Sequence, residues 1–309
     1  MILTVTPNPS IDREILIPGF RLGAIHRPQR VVALAGGKGL NVARTIKRLG
    51  GEVSACTILG GHNGRWIEAQ LESEGIPLFS AWGRGETRIS TSIADPENHN
   101  LTEIYEGGPQ IDRETWKRFE AAYQSALPKA EWVTFSGSLP PGAPQDGYLR
   151  LLRRAQEMDI PVLLDTHGEI LHEIIPQGPW LVKMNAEEAG EILGKQITTL
   201  DQASAASQGL CERGARTAII TLGDRGAVIA REGQAWYARA PQVEVLAAVG
   251  SGDAMLGGFV LGISRGMPML DALRLGVASG AANAATLGTG VVEKEIVEGL
   301  LEKIEIQRI

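Results

Sequence analysis

The chain has 309 residues, 43% of them hydrophobic and 21% charged, with a formal net charge of -6. That is ordinary for a globular protein with ample chain for a core, and the lack of any basic block argues against nucleic acid as the main partner. The two cysteines, Cys56 and Cys211, match no metal or redox spacing, and no apolar run approaches the about 20 residues of a membrane span. MILTVTPNPSID has no basic leader region, so no membrane contact and a reduced cytoplasmic setting are expected. Of the histidines, His167 and His172 are neighbours without carboxylates at ligand spacing.

Ile2 to Thr6 is a β-branched run closed by Pro7-Asn8-Pro9, a strand followed by a turn. Asp12 to Leu34 alternates short apolar patches with Pro and Gly, which predicts half-exposed strands of a flap. Gly36-Gly37-Lys38-Gly39 opens a helix over Leu40 to Leu49, with Val42, Ile46 and Leu49 on one face, stopped by Gly50-Gly51. A strand (Val53 to Leu59), a helix (Arg65 to Glu74) and a strand (Leu78 to Trp82) follow. Arg88 to Ala94 and Leu101 to Tyr105 form a polar hairpin around Asp95-Pro96-Glu97-Asn98, the second half of the flap. Asp112 caps a helix whose Trp116, Phe119, Tyr123 and Ala126 make a core stripe.

From Glu131 the rhythm is that of a parallel sheet. Strands at Trp132 to Phe135, Val162 to Asp165, Trp180 to Met184 and Thr217 to Thr221 alternate with helices. Those helices are Gln145 to Glu157, a short one before Trp180, Ala186 to Leu193 and Leu200 to Arg213. Gly226 to Ala230 and Gln234 to Ala238 read as a hairpin, and helices around Met269 to Ala285 and Val292 to Ile304 come last. The pattern predicts a doubly wound, mainly parallel α/β sheet flanked by helices. One domain over residues 1–309 is expected, with a small β-sheet lid from about 12–34 and 86–108.

The chemistry concentrates in LAAVGSGDAMLGGF, Leu246 to Phe259. Small residues there let the N–H groups of Ser251, Gly252 and Asp253 point one way at a helix mouth, an anion site aided by the helix dipole. Asp253 stands beside that site as a base for phosphoryl transfer should, although a plain N-cap is the structural alternative. At a helix N-terminus it is expected to be ionised and weakly basic, which suffices for a loose transition state. AGGKGLNVA, Ala35 to Ala43, is a second Gly-rich turn entering a helix, with Lys38 inside it. Gly39 stands where a Walker loop has Ser or Thr, and no GxGxxG follows the first strand. In WLVKMNAEE, Trp180 to Glu188, Lys183 and Asn185 can reach nucleotide phosphates. Asn185 with Glu188 can hold hydrated Mg2+ through water; helix capping by the same two residues is an equally legal reading. TLGDRGA, Thr221 to Ala227, offers a hydroxyl and a Gly turn to a nucleotide, or forms a hairpin turn.

With TPNPSID, GETR (Gly85 to Arg88) and SGSLPPG (Ser136 to Gly142), these stretches follow the order and approximate spacing of the PfkB carbohydrate kinases. Over essentially its whole length the chain resembles that family's branch of 1-phosphofructokinases, tagatose-6-phosphate kinases and minor 6-phosphofructokinases. The resemblance implies a ribokinase-like fold, ATP and Mg2+, with Asp253 as catalytic base and Gly250, Ser251 and Gly252 framing the anion hole. It places Lys183, Asn185, Thr221, Gly223 and Gly226 on nucleotide-contacting positions, and Glu188, with Asn185, on the metal-linked one. Asp12, Gly36, Gly37, Lys38, Asn41, Arg88 and Ser136 fall on the sugar side, and in this branch the lid is often shared across a homodimer. Met184 for Pro, GSGD for GAGD, Thr221 for Ser and His167 in DTHGE depart from the common pattern without removing a charged group.

Lys38 and Arg88 together supply two cations suited to a phosphate already on the acceptor. Arg27, in the flap, is either a third such cation or simply solvated. The expected reaction converts D-fructose 1-phosphate to fructose 1,6-bisphosphate with MgATP, with tagatose 6-phosphate and fructose 6-phosphate kept open. The Lys38–Arg88 pair speaks against a free-sugar or nucleoside kinase. Intact Asp253, Lys183 and Glu188 speak against a silent nucleotide-binding regulator.

Overall fold

Ile2–Thr6 is buried along its whole length and forms β1, with parallel neighbours on both edges, in a computed structural model that describes residues 1–98 and 100–309. The chain leaves this sheet for β2 (Ser10–Leu16) and β3 (Arg30–Gly36), and returns through α1 (Lys38–Arg48) to β4 (Val53–Leu59). Helix α2 (Gly61–Ser73) and strand β5 (Leu78–Trp82) complete that half. Helix α2 starts earlier than the expected Arg65, because the Glu86 carboxylate accepts the N–H groups of His62 and Asn63 at 3.0 Å and caps it from outside. Strands β6 (Arg88–Asp95) and β7 (Asn100–Tyr105) then leave the sheet again.

After α3 (Arg113–Ala126), capped by Asp112, strand and helix alternate. The units are β8 (Trp132–Ser136), α4 (Gly147–Gln156), β9 (Val162–Asp165) and the short α5 (Ile170–Ile174). Next come β10 (Leu181–Asn185), α6 (Ala186–Leu193), α7 (Leu200–Glu212) and β11 (Thr217–Thr221). Strands β12 (Gly226–Arg231) and β13 (Gln234–Arg239) form the hairpin, followed by α8 (Ser251–Ser264) and α9 (Met269–Ala284). Helix α10 (Lys294–Leu301) is shorter than expected, and β14 (Ile306–Arg308) was not foreseen. Three residues carry no periodicity; pairing with β13 makes them a strand.

The large sheet has ten strands in the order β14-β13-β12-β11-β10-β9-β8-β1-β4-β5. Strands from β11 to β5 run parallel, and the hairpin with β14 adds an antiparallel edge. Chain order reverses between β1 and β8, the crevice where such sheets bind ligands. Alternating side chains feed a core on each face: Leu3 and Val5 join Trp116, Phe119 and Tyr148 on one side, while Ile2 joins Leu40, Ile46 and Phe259 on the other.

The separate small sheet has the order β3-β2-β6-β7. Its register puts Asp12, Glu14, Ser90 and Ser92 on one face, turned to the body, and Ile11, Ile15, Val31, Ile93 and Ile104 on the other. Among the described residues, no helix is long and apolar enough to cross a membrane.

Candidate active site

The turn into α8 depends on Gly250, the N-cap, held at φ 76 where glycine is favoured. Ser251 donates its N–H to the Ala248 carbonyl at 3.2 Å, so one of the three N–H groups expected in the anion hole serves the turn. The first bond of the helix runs from Ala254 to Gly250 at 2.8 Å. The Gly252 and Asp253 N–H groups precede it and point out of the helix mouth.

Asp253 sits inside the first turn and caps nothing. It is buried, and its Oδ2 accepts Nδ2 of Asn41 at 2.9 Å. Burial pushes its pKa up to about 7; the Asp165 charge adds to the rise, while Lys183 and Lys38 oppose it. The expectation of an ionised, weakly basic carboxylate is therefore reversed: desolvation outweighs the helix terminus, and the group is poised near neutrality.

Asn41, on α1, joins this carboxylate to a second one. Its Nδ2 also donates to Asp12 Oδ2 at 3.1 Å, and its Oδ1 accepts Nη1 of Arg44 at 3.3 Å. Arg44 is fully buried and also donates to the carbonyls of Thr289 and Ala35, so it fixes which way the amide faces. Asp12 further collects the Gly37 N–H at 3.2 Å, Thr289 Oγ1 at 3.2 Å and Ser10 Oγ at 2.6 Å. Gly36 lies against it, where any side chain would overlap the carboxylate.

Lys183, from β10, approaches the helix mouth from the opposite side. A Cβ on Gly252 would stand 2.9 Å from its ammonium, which is why the position takes no side chain. Lys183 Nζ donates to Asp165 Oδ2 at 2.6 Å, and Lys38 Nζ donates to Asp165 Oδ1 at 2.9 Å and to Glu188 Oε1 at 3.2 Å. Burial alone would raise the pKa of Asp165, but the Lys183 and Lys38 ammonium groups hold it down at about 2. Burial likewise disfavours the Lys38 ammonium, and Asp165, Glu188 and Asp253 overcome that and raise its pKa. Asp165 was missed in the sequence; its one signal there is a carboxylate ending a strand in LLDTHGE.

Asn185 and Glu188 form the capping box of α6: Asn185 Oδ1 accepts the Glu188 N–H at 2.8 Å, and Glu188 Oε2 accepts the Asn185 N–H at 2.9 Å. The structural alternative is thus realised, yet Glu188 Oε1 still faces Lys38. A cleft of about 540 Å3 runs over these groups. Its polar part holds Lys38, Lys183, Gly252 and Asp253, and its apolar part Val243, Val245, Met255 and Val277. Asn185, Glu188, Thr221, Gly223 and Gly226 also line it. The apolar lining can take a ring and the polar end by α8 an anionic group.

Arg88 lies elsewhere. It donates to the carbonyls of Asn8 at 3.2 Å and Glu106 at 3.0 Å, and with Arg84 it lines an open hollow of about 520 Å3. Lys38 and Arg88 share no partner and line different hollows, so the expected two-cation pair is not formed; Asp165 and Glu188 draw Lys38 into the cleft beside α8. Ser136, expected on the sugar side, is fully buried with its Oγ unpartnered, under Gly39 of α1, and lines neither hollow. His167 is exposed after β9 and outside the cleft, and Arg27 is exposed between β2 and β3.

The description of the pfkB family of carbohydrate kinases matches residues 10–295. A 1-phosphofructokinase of Bacillus subtilis is 33% identical over 309 residues, covering 100% of both chains. A Thermotoga maritima structure, named as a possible 1-phosphofructokinase, superposes with TM-score 0.91 at 27% identity, over 100% of this chain and 99% of that one. Phosphofructokinase-2 of Escherichia coli, solved with substrates and products, superposes with TM-score 0.89 at 25% identity over 98% of each chain.

Proposed function

The chain belongs to the pfkB family of carbohydrate kinases, with the ribokinase-like fold, and we propose that it carries the terminal phosphoryl group of ATP to the free primary hydroxyl of D-fructose 1-phosphate, giving fructose 1,6-bisphosphate. The observation that carries this reading is the placement of Asp253. Its carboxylate stands at the mouth of α8, between the cleft lined by Lys183 and Met255 and the Asp12–Asn41 pair. Asp253 takes the proton of the acceptor hydroxyl as the new phosphorus–oxygen bond forms and the bond to the β-phosphate oxygen breaks. The Gly252 and Asp253 N–H groups and the Lys183 ammonium meet the charge of the group in transit. Asn41 holds the base in place and Asp12 orients sugar hydroxyls.

Lys38 serves the nucleotide's phosphates, and Arg88 with Arg84 takes the phosphate the acceptor already carries. Mg2+ arriving with ATP would offset phosphate charge. Asn185 and Glu188 suit contact through water, since the Glu188 carboxylate is already held by Lys38 and the Asn185 N–H. The chain acts as a single domain in which the small sheet is a lid, and two lids pack face to face in a homodimer. Supporting this, the outward face of the lid carries Val31 at 45% and Ile104 at 58% exposure. Ile104→Lys is expected to weaken self-association by about tenfold or more in sedimentation experiments. The unpaired thiols of Cys56 and Cys211 suit a reducing cytoplasm.

ADP release with MgATP tests the reading against fructose 1-phosphate, tagatose 6-phosphate, fructose 6-phosphate and their free sugars. A large preference for fructose 1-phosphate is the expected result. Preference for fructose 6-phosphate is the second reading, favoured by the likeness to phosphofructokinase-2 of Escherichia coli, which was also solved with fructose 6-phosphate. Equal use of free sugars would remove the phosphate role of Arg88.

A further inference from the structure

Glu14 is used by no step above, yet it is buried on the inner face of the lid, two residues beyond Asp12 on β2. Its Oε2 accepts the Gly288 N–H at 2.7 Å, and its Oε1 is buried with no partner. A half-satisfied buried carboxyl is costly, so its place calls for a reason beyond packing. The segment it grips, Gly288 to Gly290, follows α9 and touches both halves of the site. Thr289 Oγ1 donates to Asp12 at 3.2 Å, and the Thr289 carbonyl accepts from Arg44 at 3.0 Å. The Gly290 N–H donates to Asn283 Oδ1 at 2.8 Å. Asn283 Nδ2 in turn donates to the Val249 carbonyl at 2.8 Å and to Ser251 Oγ at 3.3 Å, in the turn that shapes the anion hole. The packing is equally tight: a Cβ on Gly250 would lie 3.0 Å from Cα and Cβ of Thr289.

We propose that Glu14 and Asn283 are positioning residues that couple closure of the lid over the sugar to the geometry of the anion hole over the phosphate, through Gly288–Gly290. With the lid down, Glu14 anchors the segment, and Asn283 passes its position to Val249 and Ser251. With the lid raised, the Gly288 N–H loses its acceptor and the turn before α8 loses one support. The two substrate sites then share a coupling free energy carried by named bonds. The inference rests on the sugar-phosphate kinase reading, because it needs one ligand under the lid and another at α8.

The test is the Kd of a non-hydrolysable ATP analogue with Mg2+, measured with and without saturating fructose 1-phosphate. In the wild type the sugar phosphate is expected to tighten the analogue by about fivefold or more. Glu14→Ala and Asn283→Ala are each expected to bring the ratio near one, and the double variant no further. Glu14→Gln keeps an acceptor for the Gly288 N–H and should retain the ratio. Glu14→Leu, which fills the volume, should lose it, so a poorly folding alanine variant does not decide the matter. If the variants shift both Kd values equally and leave the ratio at its wild-type value, the residues are merely structural and the proposal falls. A wild-type ratio of one overturns it as well. No binding of any sugar phosphate to the wild type overturns the kinase reading and this inference with it, a different signature from an unchanged ratio.

Discussion

Two buried carboxylates share the cleft and are treated oppositely. Asp165, at the end of β9, receives two ammonium groups and is held at about 2. Asp253, at the start of α8, receives one neutral amide and is lifted to about 7. The difference is made by what faces each group: desolvation acts on both, and only Asp165 has cations in contact to overcome it. It also separates their work. A carboxylate locked as an anion organises the lysines, and one balanced near neutrality is suited to the base role proposed for Asp253.

The sharpest way to break this comparison is Asp253→Asn. Turnover is expected to fall by about 10²–10⁴ with the fold retained, measured by ADP release. Because the folded-state pKa is raised, wild-type Asp253 is destabilising at high pH, where it must ionise while buried. The variant should therefore melt higher than wild type at pH 8, with the gain shrinking from about pH 7 towards pH 4 and absent below. Near-wild-type turnover would end the assignment of the base. Next in size is Asp165→Asn, which leaves Lys183 buried without its carboxylate partner and Lys38 with Glu188 alone, and should cost about 3–5 kcal/mol in chemical denaturation. In the folded fraction the Asp253 titration should move down, since a like charge has gone, so the acid limb of kcat, near pH 7 in the wild type, shifts to lower pH. An unmoved limb would show that Asp165 does not act on the base.

A smaller effect separates the two cations that the sequence placed together. Arg88→Ala should raise KM for the phosphosugar by about 10- to 100-fold and leave KM for ATP alone. Lys38→Met should act on the nucleotide side whatever the acceptor. A rise confined to the phosphosugar in both variants would restore the Lys38–Arg88 pair.

What the sequence made legible was local. The alternation of strands and helices, the Gly-Ser-Gly turn into α8 and the Asn185–Glu188 capping box each lie within a few residues, where spacing sets geometry. Lys38 was assigned to the wrong neighbour because its partner Asp165 is 127 positions away. Glu14 meets Gly288 across 274 positions, and no pattern on β2 announces it. The protonation of Asp253 was misjudged for a related reason: a helix N-terminus is visible in a sequence, but the burial that outweighs it is not.

The bond between Asn41 and Asp253 spans 212 positions, and α1 and α8 pack in one core. During synthesis the small-sheet strands, Asp12 and the Asn41 amide have all emerged by Tyr105. Asp253, the proposed base, emerges near the end. A nascent chain released early would thus carry Asp12 and Glu14 without the Gly288–Thr289 segment that holds them, and its exposed α1 face would wait for the last helices to cover it. Activity is therefore a late event in the life of each molecule, and it reports that nearly the entire polypeptide has been delivered.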